Sequence, residues 1–317
     1  MTTRKDEGIY RRILVPLDGS ELAETVLDLA KNLAIRSGSA LTLLHVCVPD
    51  QKQWQPLHLG YIEHSAEQIE RDIAKTCETV QCHFQNAAST ASSVIIKGDP
   101  ATEIVRYAEE NKASIILMAT HGRYGLMQSV MSDVANKVVR ASPIPVWLVR
   151  TLGPGEIVCA QWPPERILVP LDGSELAEKV LPYAIEYAKL FDAELVIMRV
   201  CEQPDISSDY PDADWDKHVN HELSEHRAQC SLYLSEVEQR IQEPGLKITK
   251  ESWLGNAAKE IIRYIRENRC DLVAMTEYGR SPMPQWLMDA PIAHRVFSNV
   301  TEQVLAATSR GILLVWP

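Results

Sequence analysis

Two aspartates, Asp18 and Asp172, occupy the same place in an identical segment, RILVPLDGSELAE, found at Arg12–Glu24 and again at Arg166–Glu178. In each copy an apolar run (Ile13, Leu14, Val15; Ile167, Leu168, Val169) passes through Pro and Leu into Asp-Gly-Ser, and a helical pattern follows. This order puts a carboxylate and a helix N-terminus at the carboxyl end of a strand, the edge where open α/β sheets bind ligands. The chemistry this favours is recognition of a small molecule. The two carboxylates fall in separate halves, and no Ser-His-Asp order, nucleophile elbow or Walker A sequence appears, so nothing supports strong catalysis. His218, His221 and His226 lie in one predicted helix, but only the first two share a face and no third ligand converges on them, so no metal site is expected. The cysteines (47, 77, 82, 159, 201, 230 and 270) form no CxxC pair and read as reduced thiols in a reducing compartment.

The elements that must position these residues alternate between strand and helix in both halves. In the first half RRILVPL is a strand, and a helix from Ser20 to about Ser37 carries Leu22, Val26, Leu29 and Leu33 on one face, with Ser20 as N-cap and Gly38 as its stop. ALTLLHVCV is the second strand, a loop covers Pro49 to Leu59, and a helix runs over roughly Tyr61–Cys82. SSVIIKG, ATEIVRYAEENK, SIILMAT, SDVANKVVRAS and PVWLVR complete the order. The second half repeats it, with a long helix near Trp215–Gln242. Uniformly apolar strands suit a parallel sheet covered on both faces. The expected fold is α/β, two doubly wound five-stranded parallel-sheet domains in tandem: domain 1 over 1–152, a Gly-Pro-Gly and Pro-Pro linker over 153–164, and domain 2 over 165–317.

With 317 residues, 45% hydrophobic and 24% charged, the chain can bury two ordinary cores. The formal net charge of −11 argues against a nucleic-acid partner reached through bulk electrostatics. The N-terminal MTTRKDEG has no apolar core of signal-peptide type, and no apolar run approaches the roughly 18 residues of a membrane span, so a soluble cytoplasmic protein without membrane contact is expected.

ILVPLDGSELA at each domain start, LLHV after the first helix, and MATHGRYG followed by SDVANKVV resemble the universal stress protein family in its tandem form. The resemblance covers nearly the whole chain. It implies an adenine nucleotide alpha hydrolase-like sheet, ATP binding in many members (with Mg if a metal is present at all), and pairing through the last strands. PVWLVR (Pro145–Arg150) and ILLVWP (Ile312–Pro317) are thus expected at a seam within the chain or in a homodimer; further protein partners are not identified. By the same resemblance Asp18 and Asp172 face the adenine, with Val46 and Val200 beside them. The phosphates lie on a G-x2-G-x9-G-[ST] stretch opening a helix, where small residues let amides approach and the helix dipole favours anions.

In domain 1 that stretch runs from Met118 and Ala119 through Gly122 and Arg123 to Ser132, Asp133 and Val134; the spacing is intact, but one glycine of three remains. Asp133 stands where a hydroxyl would meet phosphate. A carboxylate about 4 Å from a phosphate charge costs about 4 kcal/mol at an effective dielectric near 20, half of the roughly 8 kcal/mol of a micromolar ligand. Asp133 can instead cap the helix as a built-in anion, or reach a divalent ion on the phosphates. In domain 2 Thr276 and Gly279 are followed by an insertion near Pro282–Phe297 before Ser298 and Asn299, with Asn299 and Glu302 spaced close to a capping box. Trp286, Leu287 and Met288 in the insertion could build a pocket for an apolar ligand, though packing is the commoner fate of such residues. The reading is a non-enzymatic stress-response regulator or scaffold with a degenerate nucleotide pocket and weak binding in domain 1. The alternative is a functional ATP sensor or slow ATPase.

Overall fold

The computed structural model describes residues 8–48, 55–79, 90–121, 131–150, 163–201, 215–277 and 298–316. The expected linker (but for its last two residues), the insertion near Pro282–Phe297, Gly122, Arg123 and Gly279 lie outside the described residues. Two compact units emerge. The first takes the described residues up to Pro163 together with Ser309–Trp316; the second takes those between Pro164 and Thr308.

Unit 1 contains β1 (Arg12–Pro16), α1 (Glu21–Glu24), α2 (Leu27–Ser37), β2 (Ala40–Cys47), α3 (Gln55–Thr79), β3 (Ala91–Lys97), α4 (Pro100–Glu110), β4 (Ile115–Ala119), α5 (Asp133–Ala141) and β5 (Val146–Val149). The chain's last strand, β10 (Gly311–Val315), also belongs to it. Its strands lie in the order β3-β2-β1-β4-β5-β10. The first five are parallel, with Ile13 opposite both Leu41 and Ile115, and β10 is antiparallel to β5, with Leu313 opposite Trp147. Unit 2 contains β6 (Arg166–Pro170), α6 (Glu175–Glu178), α7 (Leu181–Phe191), β7 (Glu194–Cys201), α8 (Trp215–Ile241), β8 (Lys247–Leu254), α9 (Ala257–Glu267), β9 (Leu272–Thr276) and α10 (Asn299–Ala307). Its strands run β9-β6-β7-β8, all parallel. The α/β, mostly parallel reading holds. The strand patterning explains it: β4 and β9 are buried at every position, as strands covered on both faces must be.

Local chemistry revises three expectations. The single helix from Ser20 is two helices, because the Thr25 hydroxyl donates to the Leu22 carbonyl at 2.7 Å and bends the chain before α2. In the second copy Pro182, in the first turn of α7, lacks the amide that would continue α6. The loop expected up to Leu59 ends sooner, since α3 begins at Gln55, with Pro56 in the first turn where its missing N–H costs nothing.

The cysteine reading is also corrected. Cys201 at the end of β7 and Cys230 in α8 form a disulfide across 29 residues of sequence, with Cα atoms 6.5 Å apart. Packing of α8 on β7 brings them together, which spacing alone cannot reveal. Cys47 and Cys270 are buried thiols outside any disulfide.

In unit 1, β10 buries Leu313 completely, and the Trp316 indole donates to the Val139 carbonyl at 2.6 Å. Leu313→Ala should therefore cost about 2–4 kcal/mol in urea denaturation, as expected for a large-to-small change at a fully buried site. A loss below about 1 kcal/mol would mean that β10 is not part of the core of unit 1.

Candidate functional site

In unit 1 the chain winds from β1 outward through β2 to β3, then returns to place β4 on the other side of β1. The point between β1 and β4 is thus the topological switch, whose carboxyl edge forms a crevice. Asp18 follows β1 at this edge, Val46 lies near the end of β2, and Met118 and Ala119 end β4. Ser132 joins them, since its amide donates to the Thr120 carbonyl at 2.7 Å and ties the start of α5 to the end of β4. Sequence-predicted residues from four segments therefore converge on one edge.

The Asp18 carboxylate organises its own turn. Its Oδ1 accepts from the Ser20 amide at 3.0 Å and the Ser20 hydroxyl at 2.6 Å, and Ser20 Oγ in turn accepts from the Ala23 amide at 3.2 Å. Gly19 supplies the turn's positive φ of 80°. Behind it His45 is buried, its Nδ1 donating to the Leu17 carbonyl at 2.8 Å. Unit 2 repeats the turn: Asp172 Oδ1 accepts from the Ser174 amide at 2.9 Å and hydroxyl at 2.7 Å, and Ser174 caps α6 through Ala177.

At the starts of α5 and α10 the structure corrects two cap assignments. Ser132, not Asp133, is the N-cap of α5, its Oγ accepting from the Ala135 amide at 3.2 Å. Asp133 is the first helical residue, turned out to solvent with 78% of its side chain exposed and paired with Lys137 Nζ at 2.6 Å. That hydrogen bond, followed by the charge of Asp133, raises the Lys137 pKa. In unit 2 Ser298 caps α10 through the Thr301 amide at 3.2 Å, while Asn299 instead accepts from Gln303 Nε2 at 2.7 Å. The physical reason is common to both: a cap needs an extended backbone preceding the first turn, and the serines have it, at ψ of 158° and 151°. Val134 lies in the first turn of α5, Val200 near the end of β7, and Thr276 is buried at the end of β9. Among the described residues no group of three or more His, Cys, Asp or Glu could hold a metal ion.

Two features escaped the sequence reading. Tyr61 donates to Glu24 at 2.7 Å, and Tyr233 to Glu178 at 2.8 Å, the same bond in each unit. The glutamates belong to the identical segments, but the stretches of sequence between β2 and α3 and between β7 and α8 differ in length and hide the tyrosines' equivalence. The second feature is Arg199, which takes the place of His45. Its guanidinium lies 4.6 Å from the Tyr233 ring centroid and against Gly173 (φ 89°), where a Cβ would come within 2.9 Å of it.

Burial first, and then the hydrogen bond to glutamate, pushes the pKa of both tyrosines well above the ordinary value. A raised folded pKa gives stability that is intact below the unfolded value near 10 and is lost as pH rises through the folded value. Burial raises Tyr264 in the same way, so ultraviolet phenolate absorbance should show a late-titrating group of tyrosines that loses one member in each of Tyr61→Phe and Tyr233→Phe; unchanged late amplitude in both variants would refute the assignment. Ser132→Ala should lower stability by about 1 kcal/mol in thermal denaturation, and no change in Tm would show that the cap is not made in solution.

The sequence profile of the Universal stress protein family matches residues 9–150 and again 164–315. Curated relatives are similar to single halves. The universal stress protein YxiE of Bacillus subtilis is 27% identical over 45% of this chain and 100% of its own length. A universal stress protein of Methanothermobacter thermautotrophicus is 32% identical over 45% of this chain and 98% of its own length. Among solved structures, a universal stress protein from Archaeoglobus fulgidus shares the fold at a TM-score of 0.59 and 17% identity, covering 97% of this chain and 98% of its own. A functionally unknown Pseudomonas aeruginosa protein does so at 0.64 and 16%, covering 97% and 93%. Among the described residues no helix is long and apolar enough to cross a membrane. With two successive matches spanning most of its length, the chain belongs to the universal stress protein family, in tandem form.

Proposed function

We propose that this tandem universal stress protein is a non-enzymatic stress-response regulator or scaffold in which the nucleotide site of unit 1 is weakened and that of unit 2 is lost. The observation that carries the reading is the cap at each phosphate end. A helix N-terminus holds an anion through its free amides, yet the Ala135 and Thr301 amides are already taken by Ser132 and Ser298. The residues fit the adenine end of a nucleotide and fit its phosphates poorly. Unit 2 adds a steric objection, since buried, β-branched Thr276 stands where glycine would admit a phosphate. Protein partners then read the fold and its surface, with pairing through last strands as one mode.

One observation favours the second reading, an ATP-binding sensor or slow ATPase. Lys137 neutralises Asp133, which removes most of the repulsion that the sequence alone implied. Isothermal titration of the full chain with ATP and magnesium separates the two. The first reading expects a Kd weaker than about 100 µM, less than about 5.5 kcal/mol of binding, and sub-micromolar binding at either site overturns it. Because Asp133 is exposed and paired, Asp133→Ser should change the affinity by less than about threefold, the scale of surface ion pairs. A gain of tenfold or more would restore charge repulsion as the obstacle.

A further inference from the structure

Helix α8 is fastened to β7 by a cross-link that unit 1 does without. Cys201 closes β7, Cys230 lies in α8, and both are buried, at 4% and 5% exposure. Their Cα separation of 6.5 Å lies within the range that a disulfide spans. Unit 1 keeps the strand cysteine, Cys47, as a buried thiol outside any disulfide. The residue three before its tyrosine, matching Cys230, is His58. Since unit 1 packs α3 on β2 and β3 with no such bond, the fold does not require it. The reduced state is also provided for. Cys201 Sγ has the His226 carbonyl at 3.8 Å and the Ser252 hydroxyl at 3.9 Å as hydrogen-bond partners for a thiol. One turn beyond Cys230 on the same face, Tyr233 bonds Glu178 and lies beneath Arg199, whose guanidinium rests on Gly173.

We propose that Cys201 and Cys230 form a reversible oxidation site, closed by hydrogen peroxide and reopened by a dithiol, whose state sets how firmly α8 holds Tyr233 and Arg199 against the turn Asp172–Ser174. In the closing reaction one thiolate attacks the peroxide O–O bond and becomes a sulfenic acid. The second sulfur then attacks it and expels the oxygen as water. Two thiols and one peroxide give one disulfide and two waters, with the two electrons passing from sulfur to oxygen. Burial of both sulfurs restricts access to an oxidant as small as hydrogen peroxide. Reduction returns both hydrogens from the dithiol, which is itself oxidised to a disulfide. The oxidation and reduction steps themselves need no nucleotide in either unit.

The test uses the full chain, reduced with dithiothreitol, freed of it and treated with hydrogen peroxide. Alkylation with peptide mass spectrometry is read beside amide hydrogen exchange of residues 226–237. The expected result is a peroxide-induced Cys201–Cys230 link that dithiothreitol reverses in the folded protein, with exchange in this stretch of α8 at least about tenfold faster when reduced. Cys230→Ser should show the fast exchange whether or not peroxide is added, and Cys201→Ser should do the same, either variant sufficing if the other fails to fold. Cys47→Ala should retain the response. Failure of the link to form, a link that dithiothreitol reverses only after unfolding, or equal exchange in both states would each overturn the proposal.

Discussion

Every helix that starts at the carboxyl edge of a parallel sheet brings amides with no partner inside the helix, and the rest of this structure is arranged around satisfying them. Among the described residues six helix starts use a side-chain oxygen for the purpose: Ser20, Asp99 and Ser132 in unit 1, Ser174, Asn256 and Ser298 in unit 2. The same amides are what a bound anion would seek. Satisfying them internally stabilises the fold and, on the proposed reading, leaves fewer donors for an anion.

Two carboxylates near the edge illustrate how context assigns roles. Asp18 is partly buried and spends its Oδ1 on the turn that opens α1. Asp133 lies one residue inside α5, too far along for the cap, and its charge is met by Lys137 on the next turn. From sequence both were candidate ligand contacts. Only the first is built into the geometry of the crevice; the second is a solvated ion pair at its rim. Asp99, capping α4, follows the first pattern, its pKa lowered by hydrogen bonds from Thr102.

The two units share a framework and differ in what they place behind it. The Asp-Gly-Ser turn, the serine caps and the tyrosine–glutamate bond recur with nearly the same distances. At the position where unit 1 buries His45 against the Leu17 carbonyl, unit 2 has Arg199 stacked on Tyr233. Where unit 1 has the Cys47 thiol, unit 2 has the disulfide. Duplication preserved the parts that the strand-to-helix turn demands and left the surrounding shell open to change.

What the sequence determined by itself follows from interactions over short stretches of chain. Strand apolarity, the helical faces, the Asp-Gly-Ser turns and the repeat need only the nearest few residues, and all could be read directly. Even the cap errors at Asp133 and Asn299 were displacements of one residue, where local preference is nearly degenerate and the backbone's extended ψ decides. The tertiary structure alone decided the rest: the Cys201–Cys230 bond, the Tyr61–Glu24 and Tyr233–Glu178 bonds, Arg199 over Gly173, and the antiparallel seat of β10 beside β5. Each joins residues far apart in sequence, and in each the partner is chosen by which faces packing brings together, a quantity that no local pattern encodes.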